Sequence, residues 1–369
     1  MSLEEIQSAS LLGEKLASSG FQVAAGLAGL PTSFVATLPG SSTHPCVALL
    51  AEYDALPGIG HGCGHNLIAA AGVGAGLALS RAARSGGARR LPGTLLVIGT
   101  PAEETIGGKA VMLDHGVFDG VDAAMMIHAG AEWRVFTESL ACVSLEVIYL
   151  GREAHAVASP EKGVNALDAL IQLFVAVDMM KKRLGSEVKI PGVILEGGSR
   201  PNIVPARSAG AFSLRAPTSA RRDEVRAEFE RAARATAQAA GCGIEIRQSD
   251  HGYDEMLTNT ALAGRFKDHL AAAGVSTVDT PRQGKGSLDM GNVSRRVPSI
   301  HPFMAIAGPE ASLHSAAFAA ATLQPRAEDA LMIAVEALAL TAFDAMSDTT
   351  LLGEARAELD RRTAEGAAA

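Results

Sequence analysis

Cys46-Val47-Ala48-Leu49-Leu50-Ala51 runs directly into Glu52-Tyr53-Asp54, and a turn-rich passage then leads to His61-Gly62-Cys63-Gly64-His65-Asn66. An unbroken apolar run of this length, bounded by turn residues, reads as a strand buried on both faces. The small apolar residues that follow, 66–84, predict a long helix. The same grammar recurs along the chain. Residues 94–98 are apolar and end at Pro101-Ala102-Glu103-Glu104, with a helix expected over 108–115. Residues 123–127 form another apolar run and end at His128, and residues 302–307 lead into a loop holding His314. Strands alternating with helices predict an α/β fold on a mostly parallel sheet.

The pattern changes between these segments. Residues 142–150 alternate, with Val143, Leu145, Val147 and Tyr149 on one face. A helix over 165–184, strands over 192–195 and 208–215, an amphipathic helix over 221–240 and a strand over 243–248 complete a β-α-β-β-α-β order, the ferredoxin-like arrangement. Residues 142–254 are therefore expected to form an inserted domain between two parts, 1–141 and 255–369, of a larger one. Arg89-Arg90 and Pro92-Gly93 punctuate the chain before residue 94. After the insertion we expect helices over 258–273 and 325–346 and a helical tail with a fraying Ala-rich end. At the start, Ser2 and Glu5 predict a capping box for a helix reaching about residue 20, with Leu3, Ile6, Leu12 and Leu16 buried.

Composition narrows the function. The chain has 369 residues, 48% hydrophobic and 20% charged, with 32 basic against 40 acidic side chains and a net charge of −8. An acidic chain with 4% aromatics is a poor match for nucleic acid, whether through phosphates or through base stacking. The first residues lack the basic region of a secretory signal, and the run 67–79 is too short to span a bilayer, so no membrane partner is expected. Four cysteines in so long a chain do not make a disulfide framework, which predicts a cytoplasmic protein with reduced thiols.

In open α/β sheets ligands sit beyond the carboxyl ends of the strands. Here separate strand ends deliver Cys63, His65, Glu103, Glu104, His128 and His314 to one edge. Thiolate, imidazole and carboxylate together suit Zn²⁺ or another borderline metal. Two adjacent carboxylates allow one to ligate metal while its neighbour acts as general base. His44, His61, His115, His251, His269 and His301 have no comparable setting and read as structural or surface residues.

These motifs resemble one family. Ala51-Glu52-Tyr53-Asp54-Ala55-Leu56-Pro57, Gly62-Cys63-Gly64-His65-Asn66 and Pro101-Ala102-Glu103-Glu104 are similar to the aminoacylase/carboxypeptidase G family of metallo-amidohydrolases. The nearest branch contains p-aminobenzoyl-glutamate hydrolase, indole-acetyl-amino-acid hydrolases and β-alanyl-lysine-type dipeptidases. Residues 286–294, Gly-Ser-Leu-Asp-Met-Gly-Asn-Val-Ser, resemble the dipeptidases in particular. The likeness covers nearly the whole chain, which opens one helix later than the family pattern.

The resemblance implies a dinuclear centre for Zn or Mn, ligated by Cys63, His65, Glu104, His128 and His314. It implies that Glu103 is the catalytic base and that Asp54 orients a ligand from behind. It also implies that His155, in Gly151-Arg152-Glu153-Ala154-His155-Ala156, reaches a partner protomer's site from a lid and dimerisation domain. Asn202 and Arg215 would hold the substrate's carbonyl and carboxylate. The expected enzyme is a homodimer that cleaves the C–N amide bond of an N-acyl amino acid or dipeptide and releases a carboxylate-bearing amino acid. A rival reading keeps the same site but assigns it an arylamide or aromatic-amine C–N bond. An inactive binding scaffold is the remote alternative, and the intact ligand set with Glu103 argues against it.

Overall fold

The computed structural model describes residues 1–85, 90–279 and 286–368; Arg89 and the last residue of the Ala-rich end, Ala369, lie outside them. The chain opens with α1 (Ile6–Ser18), β1 (Gln22–Ala25), β2 (Phe34–Leu38), β3 (Cys46–Ala51), α2 (His65–Ser85), β4 (Thr94–Gly99), α3 (Gly108–Asp114), β5 (Ala123–Met125) and β6 (His128–Gly130). It continues with β7 (Ala141–Leu150), α4 (Ala166–Leu184), β8 (Gly192–Glu196), β9 (Arg207–Ala216), α5 (Ser219–Ala240) and β10 (Gly243–Gln248). It closes with α6 (Thr260–Ala272), α7 (Met290–Ser294), β11 (Ser299–Ile300), β12 (Phe303–Ala305), α8 (Ala316–Ala321), α9 (Pro325–Ser347) and α10 (Thr349–Ala368). Two compact units result: Met1–Glu138 with Met256–Ala369, and Ser139–Glu255.

The first unit is built on a six-stranded sheet in the order β1-β2-β4-β3-β5-β11. β4, β3, β5 and β11 run parallel, and β1 and β2 add an antiparallel edge. The apolar run Cys46–Ala51 lies at the centre of this sheet, with Val47 to Ala51 wholly buried. α2 packs on it, and Gly72 makes the approach possible, because a Cβ there would lie 2.4 Å from the Leu50 carbonyl oxygen. α2 and α9 are long and apolar enough to cross a membrane, but they pack on each other and about half of each is buried in this core. They are core helices. The expected strand over 123–127 ends early, and β6 pairs with β12 in a separate parallel ribbon that carries His128. β1 was not expected; it is only four residues long and all four are exposed.

The second unit is a sheet in the order β10-β7-β9-β8, antiparallel throughout, with α4 and α5 packed against it. Its core joins Val143, Leu145, Val147 and Tyr149 to Phe212, Leu214 and Phe229. The element order is β-α-β-β-α-β, as its periodicity predicts.

The capping box does not form. α1 begins at Ile6 with no side-chain cap, and Leu3 and Ile6 are exposed. Ser2 Oγ instead donates to Asp54 Oδ2 at 2.7 Å. The buried Glu5 carboxylate accepts from the Leu3 and Ala102 backbone N–H groups at 2.9 and 3.1 Å and from Thr32 Oγ1 at 2.7 Å. Distant buried donors outcompete the local cap, since leaving them unpaired costs more than a cap contributes.

Candidate metal centre

The centre grows from the end of β3. Asp54 is buried and uses both oxygens: Oδ1 pairs with His65 Nδ1 at 2.9 Å, and Oδ2 accepts from the Glu104 backbone N–H at 3.1 Å and from Ser2. With Nδ1 committed, His65 turns Nε2 toward the cluster. His128 does likewise, its Nδ1 pairing with the Ala129 carbonyl oxygen at 2.7 Å. Such outer hydrogen bonds fix the orientation of a ligating imidazole. Gly64 lies between Cys63 and His65 at φ +77°, and a Cβ there would lie 2.5 Å from Ala129 Cβ. The Cys-Gly-His turn can therefore sit against the strand carrying His128 only with glycine in the middle.

The ligand atoms of Cys63, Glu104 and His314 lie within 4.8 Å of one another, and so do those of His65, Glu103 and Glu104. His314 Nε2 is 3.8 Å from Glu104 Oε2, and its loop is tied to the Cys63 loop by the His314 N–H donating to the Gly62 carbonyl at 2.9 Å. Two non-glycine residues at this edge, Ala102 and His314, have left-handed backbone, at φ 60° and 63°. Strain of this kind gathers where side chains must be aimed. His65 Nε2 and Glu104 Oε1 are buried without hydrogen-bond partners. Orphaned lone pairs in a set of sulfur, nitrogen and oxygen donors are what a divalent cation satisfies, so the residues fit the metal that their motifs imply.

The electrostatics agree. Burial and two neighbouring imidazoles, His301 and His65, push His128 down to about 3, so it stays neutral and free to ligate. Burial, reinforced by Glu104, pushes the Cys63 thiol up to about 12. Burial, and then the carboxylates of Asp289 and Glu52, hold Glu103 well above the ordinary carboxylate range. A carboxyl disposed to take a proton is the property a general base needs.

Four members of this neighbourhood were given no site role from sequence. Glu52 and Asp289 are fully buried and both bind the buried Lys109 ammonium, Asp289 at 2.8 Å. His301, expected to be structural or at the surface, is buried with its ring 5.4 Å from that of His128. Glu52 had a signal, its position two residues from Asp54. Asp289 lies in the 286–294 stretch that resembles the dipeptidases, where it was given no role, and His301 follows twelve residues later; Lys109 is far from both in sequence.

The second unit sets His155 beside Asn202: the two loops bridge at His155 and Ile203, and the Ala156 N–H donates to the Asn202 carbonyl at 3.0 Å. His155 Nδ1 accepts the Ala158 N–H at 3.1 Å, which leaves its proton on Nε2. Both residues are exposed. Arg215 lies near the far end of β9, eight residues beyond Arg207 or about 27 Å along an extended strand. It is half-buried, with Nε donating to Ser213 Oγ at 3.2 Å. Asn202 and Arg215 are thus at opposite ends of one strand rather than side by side.

Residues 48–343 match the family described as peptidase family M20/M25/M40. The chain belongs to peptidase family M20. As an M20 enzyme it is a metal-dependent hydrolase of amide bonds. This M20 chain is 36% identical over 338 residues to the Xaa-Arg dipeptidase of Mus musculus, spanning 89% of this chain and 78% of that protein. It is 34% identical over 233 residues to a component of the p-aminobenzoyl-glutamate hydrolase of Escherichia coli, spanning 58% and 47%. A solved dinuclear metal-binding M20 peptidase of Bacillus subtilis matches with a TM-score of 0.70 at 20% identity, over 94% of each chain. An aminobenzoyl-glutamate utilization protein of Klebsiella pneumoniae matches at 0.72 and 21%, over 93% and 92%. At that identity the two structures speak for the M20 fold.

Proposed function

We propose that this M20 enzyme hydrolyses dipeptides or N-acyl amino acids and releases an amino acid with a free carboxylate. The carrying observation is Glu103 clustered with His65 and Glu104, a base placed against the ligand groups. Cys63, His65, Glu104, His128 and His314 would hold two divalent ions. When bound, the ions polarise the scissile carbonyl and acidify the attacking water. Glu103 accepts the water's proton and delivers it to the leaving amine. Asp54 keeps His65 in the tautomer that ligates. The Cys63 thiolate favours Zn²⁺, with Mn²⁺ the second choice. The four free thiols support a reducing compartment, the cytoplasm.

The second unit acts as lid and dimerisation domain in this reading. β8 is a sheet edge whose Val193, Ile194 and Leu195 are exposed, and α4 exposes Ile171, Val175 and Met179 at four-residue spacing. Edge and stripe support pairing with a second copy. His155 of one subunit would then offer its Nε2–H to the developing oxyanion of the other. Because β9 separates Asn202 from Arg215, one substrate would meet both only across the dimer, with Asn202 and His155 from the partner and Arg215 from the subunit that holds the metal. A guanidinium suits a carboxylate bidentately.

Among the relatives, the dipeptidase spans far more of the chain than the p-aminobenzoyl-glutamate hydrolase, which favours a dipeptide. The test is a panel of dipeptides with basic and neutral C-terminal residues, their C-terminal amides, N-acetyl amino acids and p-aminobenzoyl-glutamate, presented to metal-loaded protein. Release of amino acid from dipeptides but not from their amides is expected. Equal turnover of acids and amides, or turnover of the arylamide alone, would replace this reading with the arylamide hydrolase.

A further inference from the structure

Glu52 is a buried carboxylate beside the ligand groups to which the motifs give no role. It follows β3 directly and is 2% exposed. Its Oε1 is bound by Lys109, and Lys109 is fixed in turn by Asp289, which takes the ammonium at 2.8 Å and the Lys109 backbone N–H at 2.9 Å. The clamp leaves Glu52 Oε2 buried without a partner, 3.6 Å from His65 Nε2, which is also buried and unpartnered. That separation is too long for a charge-assisted hydrogen bond, which closes to roughly 2.7–2.9 Å. Two buried, unpartnered atoms face each other across a gap that no protein atom bridges. The His128 ring supplies a third, and the ligand atoms of Glu52, His65 and His128 all lie within 4.8 Å of one another.

We propose that Glu52 is a metal ligand, completing with His65 and His128 a site for one divalent cation beside the Cys63–Glu104–His314 group. The inference rests on the metal-dependent reading above. Two imidazoles and one carboxylate form a donor set used by catalytic zinc with a position left open. Lys109 confines Glu52 to a single ligating oxygen, and Asp289 ties that clamp to the start of α3.

The test is metal binding, not turnover. Full-length protein is stripped with chelator and titrated with Zn²⁺ for stoichiometry and affinity, and with Co²⁺ for the thiolate-to-cobalt absorption that reports Cys63. Wild type should take up two ions. Glu52→Gln should weaken one of them by about tenfold or more, a loss at least as large as that from an outer-shell partner, and should keep the thiolate band. Its melting temperature should also rise less on metal addition than that of wild type. Two ions at wild-type affinity in Glu52→Gln would overturn the proposal, as would an equal drop in melting temperature with and without metal. Where Glu52→Gln does not fold, Glu52→Asp, whose shorter arm withdraws the oxygen, is read by the same criteria. A wild type that binds no divalent ion would overturn the metal-dependent reading itself.

Discussion

In the proposed mechanism Glu103 and Glu104 are neighbours with opposite duties, and the difference is measurable. Glu104 shares a ligand group with Cys63 and His314, whereas Glu103 is held in a protonatable state by burial and by Asp289 and Glu52. Glu104→Gln should therefore lose bound metal. Glu103→Gln should keep metal and substrate affinity while kcat falls by roughly 10²–10⁴, the range of a general base. Metal analysis beside steady-state kinetics separates them, and matching behaviour would dissolve the division. Cys63 adds a pH signature. Its thiol is pushed up to about 12, so it carries a proton at neutral pH and must lose it to ligate. Binding then releases at least one proton, and apparent affinity should climb about tenfold per pH unit through neutrality, since each released proton contributes one decade. Calorimetry in buffers of different ionisation enthalpy counts the protons; zero would show that Cys63 does not ligate as a thiolate.

At the scale of elements, the strands that end at the centre were legible because buried parallel strands write themselves as apolar runs, and chemistry follows where they stop. Cys63, His65, Glu103, Glu104, His128 and His314 were read this way. The Lys109 clamp was not, because its members stand at residues 52, 109 and 289 and meet only once the sheet is assembled. The capping box misled because Ser2 and Glu5 find Asp54 and Ala102 instead. The distance between Asn202 and Arg215 was not legible either, because nine residues of the ten-residue β9 run from Arg207 to Arg215. The turn joining Cys63 to His65 supplies the matching prediction. Gly64→Ala places a Cβ against Ala129 and forces an L side chain to φ +77°. A loss of about 1–3 kcal/mol in stability is expected from strain of this size. Because Ala129 is in β6, metal affinity should fall with it. Denaturant melts with and without metal check both, and an unchanged midpoint would mean that the turn is free to shift.

The whole molecule is a metal centre on one unit and an antiparallel sheet, with an exposed edge and an exposed apolar helix stripe, on the other. If the second unit pairs two copies and His155 serves its partner, mixing inactive Glu103→Gln with inactive His155→Ala should restore activity. One site of each heterodimer then has both residues intact. Verified subunit exchange without recovery would place His155 outside the partner's chemistry. The central claim, that this M20 chain cleaves amide bonds through a bound metal, is met most directly by one measurement. Release of free amino acid from a dipeptide is followed by mass spectrometry on protein stripped with chelator, then reloaded with Zn²⁺ or Mn²⁺ while bound ions are counted. The account predicts no hydrolysis when stripped and recovery in step with ions bound. Undiminished hydrolysis by the stripped protein would contradict it.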